Sequence, residues 1–215
     1  MDERAAERVS EWWRRTPEGR AAQRRTNWLE HPRILHYSAK RVTGDRFGES
    51  WRWALEREHQ RPVDRVLSLG CGGGGLERRV AKLGWARHID GIDVSSGAIH
   101  QAEEAALAAG LADRIDYRVT DLDSVELDED RYDVVLAQMS IHHVTELEHL
   151  FGQIHRSLRP GGILVLNEYV GPTRWQLPEP QLAAINSVLS SLPERRRVRA
   201  STGHVKDRYD QIDLG

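Results

Sequence analysis

The sequence predicts an α/β fold: a doubly wound, mostly parallel sheet with helices on both faces and a helical extension ahead of it. Three observations carry that prediction. From about residue 63 to 170, short apolar runs alternate with stretches of helical periodicity, the pattern of βαβ units. The first of these runs ends in the glycine cluster Gly70 to Gly75, and a helix opens directly behind it. The run Asp133-Val134-Val135-Leu136-Ala137 is almost continuously apolar, as suits a strand covered on both faces.

Residues 1–60 are polar, rich in Arg and Glu, and hold Trp12, Trp13, Trp28, Trp51 and Trp53. Breaks at Pro17-Glu18-Gly19 and around Gly44 and Gly48 divide them into two or three amphipathic helices, laid on something larger. Val66-Leu67-Ser68-Leu69 is the first strand. The helix Leu76 to Leu83 follows, with Gly84 past its end. His88 to Ile92 is a second strand, closed by Asp93, and Ser95 or Ser96 caps a helix that runs through Ala108 to a stop at Gly110. Ile115 to Val119 alternates as a third strand, and Tyr132 to Ala137 is the fourth. Leu147, Leu150, Phe151, Ile154 and Leu158 stripe a helix from about Thr145 to Leu158, which Arg159-Pro160-Gly161-Gly162 ends. Ile163 to Leu166 is a fifth strand, and a last helix spans Pro180 to Leu192.

Composition narrows the function. A chain of 215 residues with 39% hydrophobic and 30% charged residues has material for one domain with a soluble surface. Its net charge of -2 points to no nucleic-acid or membrane partner, and the basic run Arg195 to Arg199 lacks the interleaved aromatics of a nucleic-acid groove. No apolar stretch is long enough to span a bilayer. The charged first residues do not form a secretory signal, and the single cysteine, Cys71, excludes an internal disulfide, so the expected compartment is the cytoplasm. No metal-ligand spacing occurs, and no metal is expected.

The chemistry begins at VLSLGCGGGGLERR. Glycines let a ligand approach the backbone and adopt backbone angles closed to other residues, while the following helix presents unpaired N–H groups. Gly70, Gly72 and Gly75 fit the dinucleotide pattern G-x-G-x-x-G, and Gly70, Gly72 and Gly74 fit G-x-G-x-G. An acid at the end of the second strand, Asp93, suits the ribose hydroxyls under either pattern. The loop alone leaves a nicotinamide dinucleotide and S-adenosylmethionine both open.

The ordered set VLSLGCGGG, IDGIDVS, VTDLDSV, YDVVLAQMSIHHV and LRPGGILVLNE closely resembles the motifs of class I, Rossmann-like S-adenosylmethionine-dependent methyltransferases over about residues 63 to 170. That resemblance implies a domain for this cofactor over residues 61–215, with 1–60 as a helical lid. It implies Gly70, Cys71 and Gly72 against the methionine portion, Gly74 in the same cofactor-binding loop, Asp93 on the ribose and Val94 on the adenine. Asp121 and Leu122 would lie at the adenine edge and Gln138 near the cofactor's centre. One position departs from the pattern. Such families usually carry an acid where this chain has Ser68, and that acid helps orient the cofactor's ammonium. A serine brings no charge, and losing a charge-assisted hydrogen bond costs about 1.5–3 kcal/mol where nothing replaces it.

Methyl transfer from a sulfonium is a direct displacement, so the protein mainly aligns the reactants and excludes water. A hydroxyl nucleophile gains from a base of near-neutral pKa. His142 and His143 follow the fourth strand at the ligand edge of the sheet. One of them, His143 the first choice, faces an acceptor, or both only cap the next helix. Asn167, Glu168 and Tyr169 end the fifth strand on the same edge, and His36 and Tyr37 fall in the lid segment; each either touches the acceptor or braces the fold. Cys71 has no adjacent base and is not a nucleophile.

The sheet of this family usually ends in two further antiparallel strands, for which residues 200 to 215 are too few and too polar. The expectation is a truncated or short form with an open sheet edge, and an open edge invites a homodimer. The leading reading is methyl transfer to a small molecule; the alternatives are an NAD(P)-dependent oxidoreductase and a non-catalytic cofactor-binding partner subunit.

Overall fold

The computed structural model describes residues 32–58, 61–168, 170, 177–198 and 204–208. Trp12, Trp13, Trp28, Tyr169 and the expected helix break at Pro17 lie outside the described residues. Two compact units divide the chain: residues 1–21 with 28–169, and residues 22–27 with 170–215.

In the first unit, α1 (Pro32–Thr43) and α2 (Ser50–Glu58) lead into β1 (Val63–Leu69), α3 (Gly75–Lys82), β2 (Ala86–Asp93), α4 (Ser96–Ala108) and β3 (Ile115–Val119). There follow β4 (Tyr132–Gln138), a single 3-10 turn (Ile141–His143), α5 (Leu147–Ser157) and β5 (Leu158–Asn167). The five strands pair in parallel in the order β3-β2-β1-β4-β5. The expected parallel sheet is therefore present. Its order reverses between β1 and β4, and ligands of such sheets bind outside the carboxyl ends of the strands at that reversal.

Alternation along the strands builds two cores. Val66, Val134, Leu136 and Val165 face a cluster with Trp51, Leu55, Val80, Ala81, Ile89, Ile99 and Tyr117, so α2, α3 and α4 cover that face. Leu67, Leu69, Val135 and Ala137 face the other, with Ile92, Leu122, Val125, Leu127, Leu150 and Ile154 from α5 and the segment before β4. Each fully buried aliphatic side chain contributes about 1.5–3 kcal/mol of transfer free energy, and both faces of β1 and β4 collect it. Trp51 is buried in the first core while Trp53 stays exposed, so α2 turns one stripe inward against β5.

Local signals fix the boundaries. Ser95 is the cap of α4, its Oγ accepting from the Ala98 N–H at 3.2 Å. Gly84 and Gly110 take φ of +68° and +67° just past α3 and α4. The expected stop at Arg159-Pro160-Gly161-Gly162 is corrected: these residues belong to β5, which starts at Leu158. β5 is an edge strand, so Pro160 forfeits no central ladder bond, and the register against β4 shifts between Tyr132 and Val134 to absorb the irregularity.

In the second unit, α6 (Glu179–Ser191) and α7 (Glu194–Arg197) are followed by one antiparallel bridge, Val198 to Val205. Arg195, Arg196 and Arg197 form the last turn of α7, and Arg197 pairs with Asp207. Among the described residues, no helix is long and apolar enough to cross a membrane.

Candidate functional site

Gly70 lies at the end of β1 and Ser140 just beyond β4, on either side of the order reversal. Gly70 has φ +65°, and a Cβ there would stand 2.4 Å from the Ser140 Cβ. No other residue fits. Ser140 Oγ donates to the Leu69 carbonyl at 2.7 Å, which ties the two strand ends together. Gly74 is equally confined: with φ +70°, its added Cβ would meet Tyr117 Oη at 2.3 Å. Gly72, at φ +52°, completes three left-handed positions in five residues, and the N–H groups of Cys71, Gly72 and Gly74 go to the Ile92 carbonyl, Asp93 and the Cys71 carbonyl. The Arg78 guanidinium holds the loop from the helix side through the Gly73 carbonyl at 2.7 Å.

The acid after β2 is locked to that loop. One oxygen of Asp93 accepts the Gly72 N–H and the other the Ser95 N–H, both at 2.9 Å. Burial raises the Asp93 carboxyl above its ordinary value, against the pull of those two N–H groups. A carboxylate offers about four acceptor positions, so two remain for ligand hydroxyls. Cys71 is half-buried; burial first, then Glu77 and Asp93, raise its thiol, which stays protonated and unreactive. Val94 is half-buried beside Asp93. Leu122 is buried in the second core, and Asp121 folds its own turn by accepting the Asp123 N–H at 3.1 Å.

The second cluster stands beyond β4 and β5. Met139 is held at φ +54°, rare for a residue with a side chain, and its N–H donates to Asn167 at 2.8 Å. Such strain persists only where the surroundings over-determine it, and it concentrates at functional sites. Glu168 Oε1 accepts the N–H groups of Ser140 and Ile141 at 2.7 and 3.0 Å, while Oε2 lies 2.7 Å from His142 Nδ1. Burial alone would raise the Glu168 carboxyl; His142 and the two N–H groups outweigh it and hold the group below its ordinary value. The carboxylate fixes the His142 ring and leaves its other nitrogen free to exchange a proton. His143 lies against it, ring centroids 4.1 Å apart, and burial followed by the neighbouring His142 lowers its pKa. The carboxylate partner thus falls to His142, whereas the sequence favoured His143.

Gln138 receives a hydrogen bond from Asn167 Nδ2 at 3.0 Å, and its own Nε2 is buried without a partner. It opens into a cavity of about 600 Å³ walled by Leu35, His36, Val42, Phe47, Trp51 and Leu76. His36 packs edge-on to Phe47 at 5.0 Å, whereas Tyr37 is exposed and outside that wall.

Sequence reasoning passed over Glu77, which is 1% exposed at the first turn of α3 with neither carboxylate oxygen hydrogen-bonded. The signal was present: positions 77, 80 and 81 share one helix face, and Val80 and Ala81 are plainly core residues.

The family described as a methyltransferase domain matches residues 66–162. Over 110 residues the chain is 33% identical to a 27-O-demethylrifamycin SV methyltransferase of Amycolatopsis mediterranei, covering 51% of this chain and 40% of that protein. A ubiquinone biosynthesis O-methyltransferase of Rhizobium leguminosarum is 29% identical over 159 residues, with 73% and 56% covered. The chain therefore spans between two fifths and three fifths of these two relatives. Among solved structures, the YcgJ protein of Bacillus subtilis has a TM-score of 0.51 at 17% identity over 64% of this chain and 56% of that one, a likeness of fold alone.

Proposed function

We propose that the chain, whose residues 66–162 match the methyltransferase-domain family, is a class I methyltransferase that binds S-adenosylmethionine at the glycine loop and directs its methyl group to a small-molecule acceptor. The cofactor supplies a methyl already activated on a sulfonium. The protein's work is to hold, align and dry the reactants. Gly70, Cys71, Gly72 and Gly74 offer backbone to the amino-acid end, and Asp93 accepts from the ribose hydroxyls with the positions its own hydrogen bonds leave open. Val94, Asp121 and Leu122 border the adenine. Gln138, in the wall of the cavity, would lie near the transfer region. His142, oriented by Glu168, takes the proton of an acceptor hydroxyl or amine; His143 crowds it and keeps the pair from carrying two charges.

The cavity beside Gln138 supports an acceptor of small, largely apolar build. His36 and the α1 face would close over it as a lid; Glu168 braces the base, and the exposed Tyr37 stays outside the cavity wall. The chain works in the cytoplasm, without metal or nucleic acid, and β5, the last strand in the sheet order among the described residues, would pair with a second copy.

One observation carries the reading: the acid after β2 is bonded to the middle of a left-handed glycine loop at the sheet's order reversal. Isothermal titration with S-adenosylhomocysteine tests it, with NADH as the control. The expected outcome is micromolar binding of the first ligand only, weakened at least about tenfold in Asp93→Ala, as loss of a charge-assisted hydrogen bond requires. Folded protein that binds NADH instead, or neither ligand, would sink it.

A further inference from the structure

Glu77 is a carboxylate that the fold does not need. It sits at the third position of α3, directly behind the glycine loop, and is 1% exposed. Neither oxygen has a hydrogen-bond partner among the described residues. A buried acid without partners is costly in either protonation state, because its desolvation is never repaid. Valine or alanine would fill the same helix face without that cost, as Val80 and Ala81 do one turn on.

The surroundings say what is missing. The groups nearest Glu77 are Ser68 at the end of β1, Cys71 in the loop, Asp93 after β2, Tyr117 on β3 and the next residue, Arg78. Ser68 and the Glu77 backbone N–H both favour the charged form, neither closing a hydrogen bond of ordinary geometry. Cys71 and Tyr117 are both held neutral by burial and by Glu77 itself, and Asp93 repels it. Arg78 is the one cation of the group, and it spends its guanidinium on the Gly73 carbonyl. Arg78 also acts on Tyr117 and, through charge alone, on Glu77, so among the described residues no cation is hydrogen-bonded to the Glu77 carboxylate. Glu77 is two residues past Gly75 and acts electrostatically on Cys71 of the loop, so it is packed against the loop on which a ligand would lie. Among the described residues, no cluster of three or more metal-ligating side chains exists to make the cation a metal. A primary ammonium supplies a charge and three donors in a compact head.

On the cofactor reading above, on which this rests, we propose that Glu77 rather than a residue of β1 is the carboxylate that receives the ammonium of the cofactor's amino-acid arm. The serine at position 68 is then one half of an exchange. The charge absent from the strand is carried by the helix that the loop opens, and Ser68 makes room for it. Burial, the largest influence on the unpaired group, pushes its carboxyl up to about 7. A bound ammonium favours the carboxylate, so at pH near or below that value binding expels a proton.

Two ligands separate this role from a structural one. S-adenosylhomocysteine carries the amino-acid arm; 5′-methylthioadenosine has the same adenosine and sulfur but no arm. Titrated calorimetrically, Glu77→Gln should bind the first about tenfold to a hundredfold more weakly than the native protein, and the second within about twofold of it. At about pH 6, titrations of native protein in buffers of different ionisation enthalpy should detect proton release with the first ligand and none with the second. Returning the charge in Ser68→Asp/Glu77→Gln should recover affinity for the first ligand. Equal affinities in native and Glu77→Gln protein overturn the proposal, and so does an equal loss for both ligands. If Glu77→Gln fails to fold, the native proton balance decides: equal release with both ligands, or none with either, overturns it. Native protein that binds neither ligand removes the cofactor reading itself, a different failure from binding both without regard to Glu77.

Discussion

Asp90 and Glu77 are both carboxylates with almost no exposure, 2% and 1%, yet their surroundings are opposite. Asp90 stands in the middle of β2, level with Leu67 of β1. Arg65 grips it with two hydrogen bonds of 2.9 and 2.8 Å, and Tyr132 Oη donates to it at 2.9 Å. Burial would raise its carboxyl, but these partners win and lower it. Glu77 lies at the carboxyl end of the same sheet, with no partner and a raised carboxyl. The signs for stability are therefore opposed. Asp90 contributes stability above its unfolded pKa that is lost as pH falls through its lower folded one. Glu77 costs stability as pH rises from its unfolded value near 4.5 toward about 7. The Asp90 carboxylate is satisfied and serves the fold, although the nearby Arg131 Nε closes no hydrogen bond. The loop side keeps the Glu77 carboxylate and the Gln138 amide buried without hydrogen-bond partners, beside Met139 at φ +54°.

The largest effect should come from the ligand end, with little effect on the fold. His142→Ala removes the ring that Glu168 orients. Removal of a general base costs about 10²–10⁴-fold in rate. We expect that loss in radiolabelled methyl transfer to whichever acceptor a panel of phenols, acids and amines yields, with S-adenosylhomocysteine affinity within about twofold of native. Full turnover in this variant would make the histidine a brace and the acceptor already ionised.

The satisfied site should respond in the opposite sense. Arg65→Ala leaves Asp90 buried with Tyr132 and, at 3.5 Å, the Arg131 guanidinium. Breaking a buried pair costs about 3–5 kcal/mol, and Arg131 keeps the value toward the lower figure. Urea unfolding should show that loss, while folded protein retains its affinity for S-adenosylhomocysteine. A matching drop in affinity would mean that the two sites are coupled and the contrast false.

How far the sequence discloses each site follows from the range of the interactions. The strands, the Ser95 cap and the glycine turn rest on neighbours within one element, and periodicity and turn chemistry reveal them. β5 was misjudged at its start because Pro160 and two glycines are turn signals, and only its edge position excuses them. The link from Glu168 to His142 spans 26 residues and needs β4 paired to β5, which no local pattern announces. The same holds for Arg65 with Asp90, 25 residues apart. Glu77 was different. Its spacing marked a buried position, but an acid on that stripe is ordinarily discounted as a helix-start residue facing water. The cavity under α1 depends on how that helix lies, which its sequence leaves open.

The smallest test works on one hydroxyl. Tyr132 is 1% exposed, and Tyr132→Phe keeps the ring and its packing while removing the donor to Asp90. A hydrogen bond to a charged group contributes about 1.5–3 kcal/mol, and Arg65 remains, so the lower figure is expected near neutral pH. The pH dependence carries the sharper content. The hydroxyl favours the ionised carboxylate, so without it the Asp90 carboxyl rises back toward its ordinary 3.8. Above about pH 5 both proteins hold Asp90 ionised in the folded and unfolded states, and the stability gap between them stays constant. As pH falls through 3.8 and then through the folded value, the native protein loses the stabilisation that the variant never had, and the gap narrows. Urea midpoints measured across that range should therefore converge at low pH. Midpoints that stay parallel to the lowest pH at which the protein folds would mean that the hydroxyl serves the neutral acid equally well, and that Arg65 alone sets the charge at this site.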